Sequence, residues 1–215
     1  MEKLEMIAER VRKTFDERTG ARDRALAQAR MLTRFCANAI RAVHRDEIEA
    51  ISANLDEARL LALALQTQLA EFPEIYHAGY TQDALKEFAE ANIVAALVAN
   101  SDLPTPEELG LEHATYLQGL AEASGELRRR CLDILRHGHS SEAERLLSHM
   151  DDIYAVLVTM DYPDAITGGL RRLTDIVRGI NERTRGDMTI SLRQEHLEHS
   201  LKRLEERLDS AQNQD

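Results

Sequence analysis

The feature that most constrains the fold of this chain is its shortage of residues that break a helix. The first proline is Pro73, and the 215 residues include only four prolines and ten glycines. Inside a helix, proline costs about 3 kcal/mol and glycine about 1 kcal/mol relative to alanine, so long stretches without them favour long helices. Only 4% of the residues are aromatic, and no apolar–polar alternation of strand length occurs. The sequence therefore predicts an all-α fold.

Apolar spacing and helix start and stop signals divide the chain into six or seven helices. The predicted helices cover about 2–43, 46–70, 79–99, 113–137, 141–160, 166–186 and, after Asp187 or Thr189, most of the remaining chain. Asp46 is the predicted N-cap of the second helix. Residues 101–110 are predicted to form a loop that contains one helical turn.

Glycines and prolines are predicted to end several of these helices. Pro73 ends the second helix, Gly138 the fourth and Gly186 the sixth, and Ser140 or Ser141 caps the fifth. The sixth helix carries an apolar stripe that starts at Ile166. No repeat and no linker rich in Gly, Ser or Pro divides the chain, so we expect residues 1–215 to form one domain, a bundle of long antiparallel helices.

Charge and composition exclude several classes of protein. The formal net charge of −11 disfavours indiscriminate binding to nucleic acid or to anionic membranes, although a local basic groove is compatible with it. The sequence contains no apolar run long enough to span a membrane, and its first residues lack the apolar core of a secretory signal. Cys36 and Cys131 have no metal or disulfide spacing, which predicts two reduced thiols. We expect a cytoplasmic protein that does not bind membranes.

The third predicted helix carries carboxylates where a buried helix is expected. Residues 88–98 contain only two polar side chains, Glu90 and Asn92, and a helix that is apolar nearly all round is buried. Asp83, Glu87 and Glu90 point within about 40° of one direction. A buried carboxylate must be paired, protonated or bound to a cation. Two interpretations follow: Glu87 and Glu90 hold Mg²⁺ or Mn²⁺, or they pair with an arginine.

Later helices offer further carboxylates. Asp151 and Asp152 lie in a helix that is otherwise rich in apolar residues. Since adjacent helical residues diverge by about 100°, the two are unsuited to point at one site. Glu126 is another candidate metal ligand, and its alternative role is an ion pair with Arg129 or Arg130.

Other common site patterns are missing or are in an unfavourable context. The last helix has Glu-x-x-Glu and His-x-x-His spacings rather than the Glu-x-x-His of carboxylate-bridged bundles, so these residues are predicted to be solvated surface: Glu195, His196, Glu198 and His199. His137 and His139 fall at a predicted helix end, where cationic side chains are favoured. The sequence contains no GxSxG, P-loop, GxGxxG or HExxH pattern, so it gives no support to triad hydrolases, nucleotide-loop proteins or zinc peptidases.

Basic side chains and one leucine seam complete the candidate surfaces. The basic groups are Arg128–Arg130, then Arg171, Arg172 and Arg178, and near the N-terminus Arg10, Arg12, Lys13, Arg18, Arg22 and Arg24. Each group alone is typical of a helix surface, but together they could line one face of an assembly. The leucine seam, with heptad-like spacing, consists of Leu197, Leu201, Leu204 and Leu208. It fits either a core or an oligomer contact.

Four runs in the same order resemble the translin family, and its translin-associated factor X branch in particular. They are GYTQDALKEFAEA (79–91), YLQGLAEASGELRRR (116–130), LLSHMDDIYAVL (146–157) and YPDAITGGLRRLTDIVRGINERTRGD (162–187). The resemblance implies an all-α fold, assembly into closed octamers and binding of single-stranded RNA and DNA. The factor X branch is a metal-dependent endoribonuclease, in which an E-x-x-E pair and a later aspartate hold Mg²⁺.

Carried onto this chain, the E-x-x-E pair is Glu87 and Glu90, and the later aspartate is Asp152. Asp151 remains an alternative, because the family usually has a single acid at this point. The retained acids favour the catalytic branch. The predicted function is Mg²⁺-dependent cleavage of single-stranded RNA, with Mn²⁺ as a substitute and with Arg128–Arg130 placing the phosphate backbone.

Two other functions stay open. One is a non-catalytic, octameric binder of single-stranded nucleic acid in which the acids pair with arginines. The other is a helical scaffold that binds no nucleic acid. In either of the nucleic-acid-binding cases we expect a homo-oligomer, an octamer on the family pattern.

Overall fold

The computed structural model describes residues 1–138 and 141–212, and nearly all of them are helical. The helices are, in chain order, α1 (Glu2–His44), α2 (Ile48–Gln68), α3 (Pro73–Tyr76), α4 (Gly79–Ala99), α5 (Pro106–Leu109), α6 (His113–Leu135), α7 (Ser141–Leu157), α8 (Asp164–Thr167) and α9 (Leu170–Gln212). Six are long, whereas α3, α5 and α8 have four residues each. The described residues contain no strand. The all-α prediction is confirmed.

Backbone contacts divide the chain into two compact units. The first comprises Met1–Ala123 and Tyr162–Gly168, and the second comprises Ser124–Asp161 and Gly169–Asp215. Helix α6 begins in the first unit and ends in the second. That the whole chain acts as one domain stays a prediction.

In the first unit, α1 packs along α2 and α4, and α2 also contacts α4. The stripe that α1 buries recurs every three or four residues: Ala21, Ala25, Ala29, Leu32, Cys36, Ala39 and Val43. Most of these side chains are small, which lets the helix axes approach closely. Helix α4 is the most apolar of the three, and it is buried on nearly every face from Phe88 to Leu97. The prediction of a buried third long helix is therefore confirmed.

Two turns of the first unit differ from expectation and one agrees with it. Asp46 is not an N-cap: it has a φ of 57° in the turn after α1, and Glu47 occupies the N-cap of α2. Pro73 begins α3 instead of ending α2, because proline is well suited to the first turn of a helix. The predicted single turn in the 101–110 loop is α5. Thr105 caps it, with the Thr105 Oγ1 accepting from the Glu108 amide at 3.2 Å.

In the second unit, α7 packs against α9. The buried side chains of α7 are Ala143, Leu146, Leu147, Met150, Ile153 and Leu157, and those of α9 include Leu170, Val177 and Met188. The predicted end of a helix at Gly186 is wrong, since α9 continues through it. One exposed glycine costs about 1 kcal/mol, which a long helix tolerates.

The helix break lies earlier, at two adjacent glycines. Gly168 and Gly169 have φ values of 60° and 84°, a left-handed backbone that glycine adopts at little cost. Ile166 therefore lies on α8, where it is 65% exposed, and not on the stripe of α9.

The leucine seam near the end of α9 is exposed. Leu197, Leu201, Leu204 and Leu208 are between 50% and 60% exposed. The interpretation of this seam as core of the chain itself is thus wrong, and the contact interpretation remains. Among the described residues, no helix is both long enough and apolar enough to cross a membrane.

Candidate metal centre and basic surface

Gly119 sets the distance between α6 and α4 in the first unit. A Cβ atom at this position would lie 2.6 Å from the Ala89 Cβ, 2.8 Å from the Lys86 carbonyl oxygen and 3.0 Å from the Glu90 backbone nitrogen. Two of these three neighbours are backbone atoms, which cannot move aside cheaply. Only glycine therefore permits this approach. Glu122 follows Gly119 by three residues, so it lies on the same face of α6, toward α4.

Three carboxylates meet where the two helices approach. Glu87, Glu90 and Glu122 each offer one oxygen, and these oxygens lie within 4.8 Å of one another. Glu90 is 8% exposed, and the other two are partly buried. Two oxygens on opposite sides of a Mg²⁺ ion are about 4.2 Å apart, because each metal–oxygen bond is about 2.1 Å long. The oxygens of this carboxylate cluster would need to move only slightly closer together to bind a hard divalent cation.

Lys86 pairs with the carboxylate cluster. Its Nζ lies 2.8 Å from Glu122 Oε1 and 3.9 Å from Asp83 Oδ1, and its side chain is 17% exposed. Burial acts to lower the pKa of Lys86, but the hydrogen bond and the charge of Glu122, with Asp83 and Glu87, raise it overall. The ammonium is therefore charged at neutral pH. The cation paired with Glu122 is thus a lysine. That Glu87 and Glu90 pair with an arginine stays a prediction.

Both cysteines are free, as the sequence predicted, and both are buried. Burial first, and then the negative charges of Glu87 and Glu90, raise the pKa of the Cys36 thiol. Burial likewise raises the pKa of Cys131 to about 11. Neither thiol is an effective nucleophile in the folded chain, because the thiolate is the reactive form.

The other predicted metal ligands belong to the second unit. Asp152 is exposed. Asp151 is half-buried and accepts hydrogen bonds from the Arg185 Nη2 at 2.6 Å and the Asn181 Nδ2 at 3.2 Å. Glu126 Oε2 lies 3.6 Å from Arg129 Nη1, which is the ion pair that the alternative interpretation expected. Whether Asp152 or Glu126 binds a metal stays a prediction.

The predicted phosphate-binding arginines all have acidic partners within the second unit. Arg128 pairs with Asp187 at 2.8 Å, and its Nη1 also donates to Thr184 Oγ1 at 3.0 Å. Arg130 pairs with Glu142 at 3.6 Å. Arg129 is the most exposed of the three, at 56%. Arg129 is thus the one best placed to contact a ligand from solvent.

Sequence reasoning missed Glu122 and Lys86. The available signal was Gly119: a glycine within a long helical pattern often marks a close approach of two backbones. The histidines of α9 are surface residues, as predicted, since His196 and His199 are exposed. His139 and Ser140 lie outside the described residues, so the helix-end and capping predictions made for them are not tested; α7 begins at Ser141.

Comparison with known proteins gives one sequence relative and several similar structures. No family model matches the chain. It is 34% identical over 186 residues to an uncharacterised protein of Methanocaldococcus jannaschii, and the match covers 86% of this chain and 82% of that protein.

Three solved structures resemble this one over 85% of the chain. The crystal structure of AfC3PO is 31% identical, with a TM-score of 0.78 and 95% of its own chain covered. AfC3PO in complex with duplex RNA is also 31% identical, with a TM-score of 0.77 and 95% of its chain covered. Apo-NeC3PO is 18% identical, with a TM-score of 0.78 and 96% covered, which shows a shared fold only.

Proposed function

The chain belongs to the translin family, and from this premise we propose that it binds RNA and cleaves it with a divalent cation, as a member of the factor X branch. The carboxylate cluster of Glu87, Glu90 and Glu122 is the observation that carries the catalytic part. A buried carboxylate such as Glu90 is paired, protonated or bound to a cation, and three converging carboxylates supply the oxygen ligands that Mg²⁺ and Mn²⁺ prefer.

The nucleic-acid part of the proposal draws on the AfC3PO complex, which contains duplex RNA. The family resemblance favours single-stranded RNA or DNA as the ligand. Because the net charge is −11, binding must depend on local groups of arginines. Arg128–Arg130 are the first of these. Contacts from such side chains to phosphate position a strand without reading its sequence.

Each residue of the cluster has a separate task in this proposal. Glu87 and Glu90 hold the cation from one face of α4, and Glu122 holds it from α6. Gly119 keeps the two helices close enough for three carboxylates to converge. When bound, Mg²⁺ or Mn²⁺ would stabilise charge on the phosphoryl oxygens and lower the pKa of a bound water. Asp152 and Glu126 remain predicted ligands, to be tested by substitution.

A non-catalytic binder is the second candidate function. It is favoured by ion pairs that already neutralise candidate metal ligands. Lys86 lies 2.8 Å from Glu122, and Arg129 lies 3.6 Å from Glu126. In such a protein the carboxylates would stabilise the fold, and RNA would bind without being cut.

We also propose that the chain forms a homo-oligomer, an octamer on the family pattern. The four leucines of the α9 seam are at least half exposed and have heptad-like spacing, which suits helix–helix association. A cytoplasmic location is part of the same proposal, since two buried free thiols are typical of a reducing compartment.

The test combines cleavage with binding. Labelled single-stranded and duplex oligoribonucleotides are incubated with the protein in Mg²⁺, and gel shifts are run in EDTA. Glu87→Gln should abolish cleavage and leave binding intact. Asp83→Asn is the matched control, because Asp83 lies on the same helix and its side chain is 76% exposed.

Each outcome selects one function. Mg²⁺-dependent cleavage that Glu87→Gln removes and Asp83→Asn keeps supports the nuclease. Binding without cleavage supports the second candidate. A protein that neither binds nor cleaves RNA would refute both and leave a helical scaffold.

A further inference from the structure

Lys86 differs from every other lysine of the chain. Lys3, Lys13 and Lys202 are exposed, whereas the Lys86 side chain is 17% exposed and its Nζ touches a member of the carboxylate cluster at 2.8 Å. Its contact with exposed Asp83, at 3.9 Å, is much longer. The ammonium is thus directed at Glu122, the ligand that α6 contributes.

Packing holds the backbone of Lys86, whereas its head group is held by the contact with Glu122. Its carbonyl oxygen lies at the Gly119 contact between α4 and α6, so its position along α4 is set by packing. A lysine has a four-carbon stem with several rotatable bonds, and it carries a compact positive charge with three donors. Rotation about these bonds would separate the ammonium from Glu122 without a shift of the helix backbones.

We propose that Lys86 is a resident cation of the carboxylate cluster, which a divalent metal must displace from Glu122. Without metal, the ammonium offsets part of the repulsion among three carboxylates. When a metal is bound, Glu122 turns to it and the ammonium is released. The metal half of this inference rests on the proposed function, whereas the metal-free half does not.

The expected change in metal affinity when the Lys86 charge is removed follows from electrostatics alone. The Lys86 ammonium lies 2.8 Å from Glu122 Oε1, and a metal that takes Glu122 must break this attraction between two unit charges. Breaking it lowers the affinity for the metal about tenfold even at the dielectric constant of water. Removal of the Lys86 charge should therefore tighten metal binding about tenfold or more.

The experiment measures Mn²⁺ binding to the full chain without RNA, from the electron paramagnetic resonance signal of free Mn²⁺. We expect Lys86→Met to bind Mn²⁺ about tenfold more tightly than the parent. Lys86→Gln should do the same while keeping a hydrogen bond to Glu122, which guards against a misfolded methionine variant. Lys86→Arg keeps the charge and should stay near the parent. Lys13→Met is the matched control for net charge.

A second measurement needs no metal. In EDTA, Lys86→Met should melt at a lower temperature than the parent, because three carboxylates are left with less counter-charge. Adding Glu122→Gln to that variant should restore much of the loss, since one negative charge leaves with it. A resident cation predicts this rescue, and a lysine with a merely steric role does not.

The outcomes separate this inference from the proposed function. If the parent binds Mn²⁺, loses it on Glu87→Gln, and Lys86→Met binds no more tightly, the inference is wrong and the metal centre stands. If neither the parent nor any Lys86 variant binds Mn²⁺, the metal centre and the displacement half of this inference are both wrong; if, in addition, Lys86→Met melts like the parent in EDTA, the resident cation is wrong as well. A Lys86→Met chain that binds Mn²⁺ where the parent does not would support displacement directly.

Discussion

Gly119→Ala is the substitution that most directly tests how the carboxylate cluster is built. The added methyl group would meet the Ala89 Cβ at 2.6 Å and two backbone atoms of α4 at 2.8 and 3.0 Å. Because backbone atoms cannot yield locally, α4 and α6 must separate. Separation moves Glu122 away from Glu87 and Glu90.

The expected loss of stability is the difference between two terms. Overpacking a tight contact costs about 1–3 kcal/mol, and the backbone character of these contacts favours the upper end. Alanine regains about 1 kcal/mol of helix propensity. The net loss is then about 2 kcal/mol, which lowers the melting temperature of a chain of this size by about 4–8 °C.

Gly125→Ala supplies a control on the same helix. A Cβ there meets nothing within 4 Å, so only the propensity term acts. We expect about 1 kcal/mol of added stability and a melting temperature about 2–4 °C higher. Thermal melts in EDTA compare the parent with both variants, and Mn²⁺ titration reports whether the cluster still converges.

The two glycine variants should change the melting temperature in opposite directions. A Gly119→Ala chain as stable as Gly125→Ala would refute the close contact of α4 and α6. A destabilised Gly119→Ala chain with unchanged Mn²⁺ affinity would refute the idea that this contact positions the ligands.

Three further predictions address the cluster, the assembly and the thiols. Glu90→Gln should leave the melting temperature in EDTA equal to that of the parent or higher, because like charges in one pocket repel, and it should abolish Mg²⁺-dependent cleavage. A variant that melts earlier than the parent and cleaves at the parental rate would contradict the site. Replacing Leu201 and Leu204 together by Glu should lower the mass found by light scattering, whereas an unchanged mass would exclude the seam as a contact. Since the pKa of Cys131 is raised to about 11, alkylation of the folded chain should be slow at pH 8 and should become faster as the pH rises toward 11. The stability that the buried neutral thiol contributes is present below the unfolded pKa of about 8.5, and it declines as the pH rises above that value.

Local signals predicted most of the long helices. The bounds of α4, Gly79–Ala99, agree with the prediction, because it lies between the proline-containing segments that hold Pro73 and Pro104. A helix end was wrongly predicted inside α9, at Gly186, because a glycine alone does not end a helix. Gly186 resembles a stop, yet helix formation continues wherever flanking residues outweigh its cost. The true break needs two glycines together, at Gly168 and Gly169.

The candidate site was only half visible in the sequence. Glu87 and Glu90 were found because one helix carries them both, and helical spacing fixes their common face. Glu122 and Lys86 were not found, because their proximity depends on how α6 packs against α4. A single sequence gives no direct information on such a pairing between helices.

The length of α9 has a consequence for the proposed association between copies of the chain. The helix has 43 residues, and no residue described after Met188 is buried. The segment beyond Met188 therefore contributes little to the core of its unit, and helices in water depend on packing for most of their stability. If the chain associates through its leucine seam as proposed, folding of this segment is coupled to association, and helix content, as well as mass, should decrease on dilution. The segment would then respond to the concentration of the chain, with an ordered helix in the oligomer and a frayed one in the free chain.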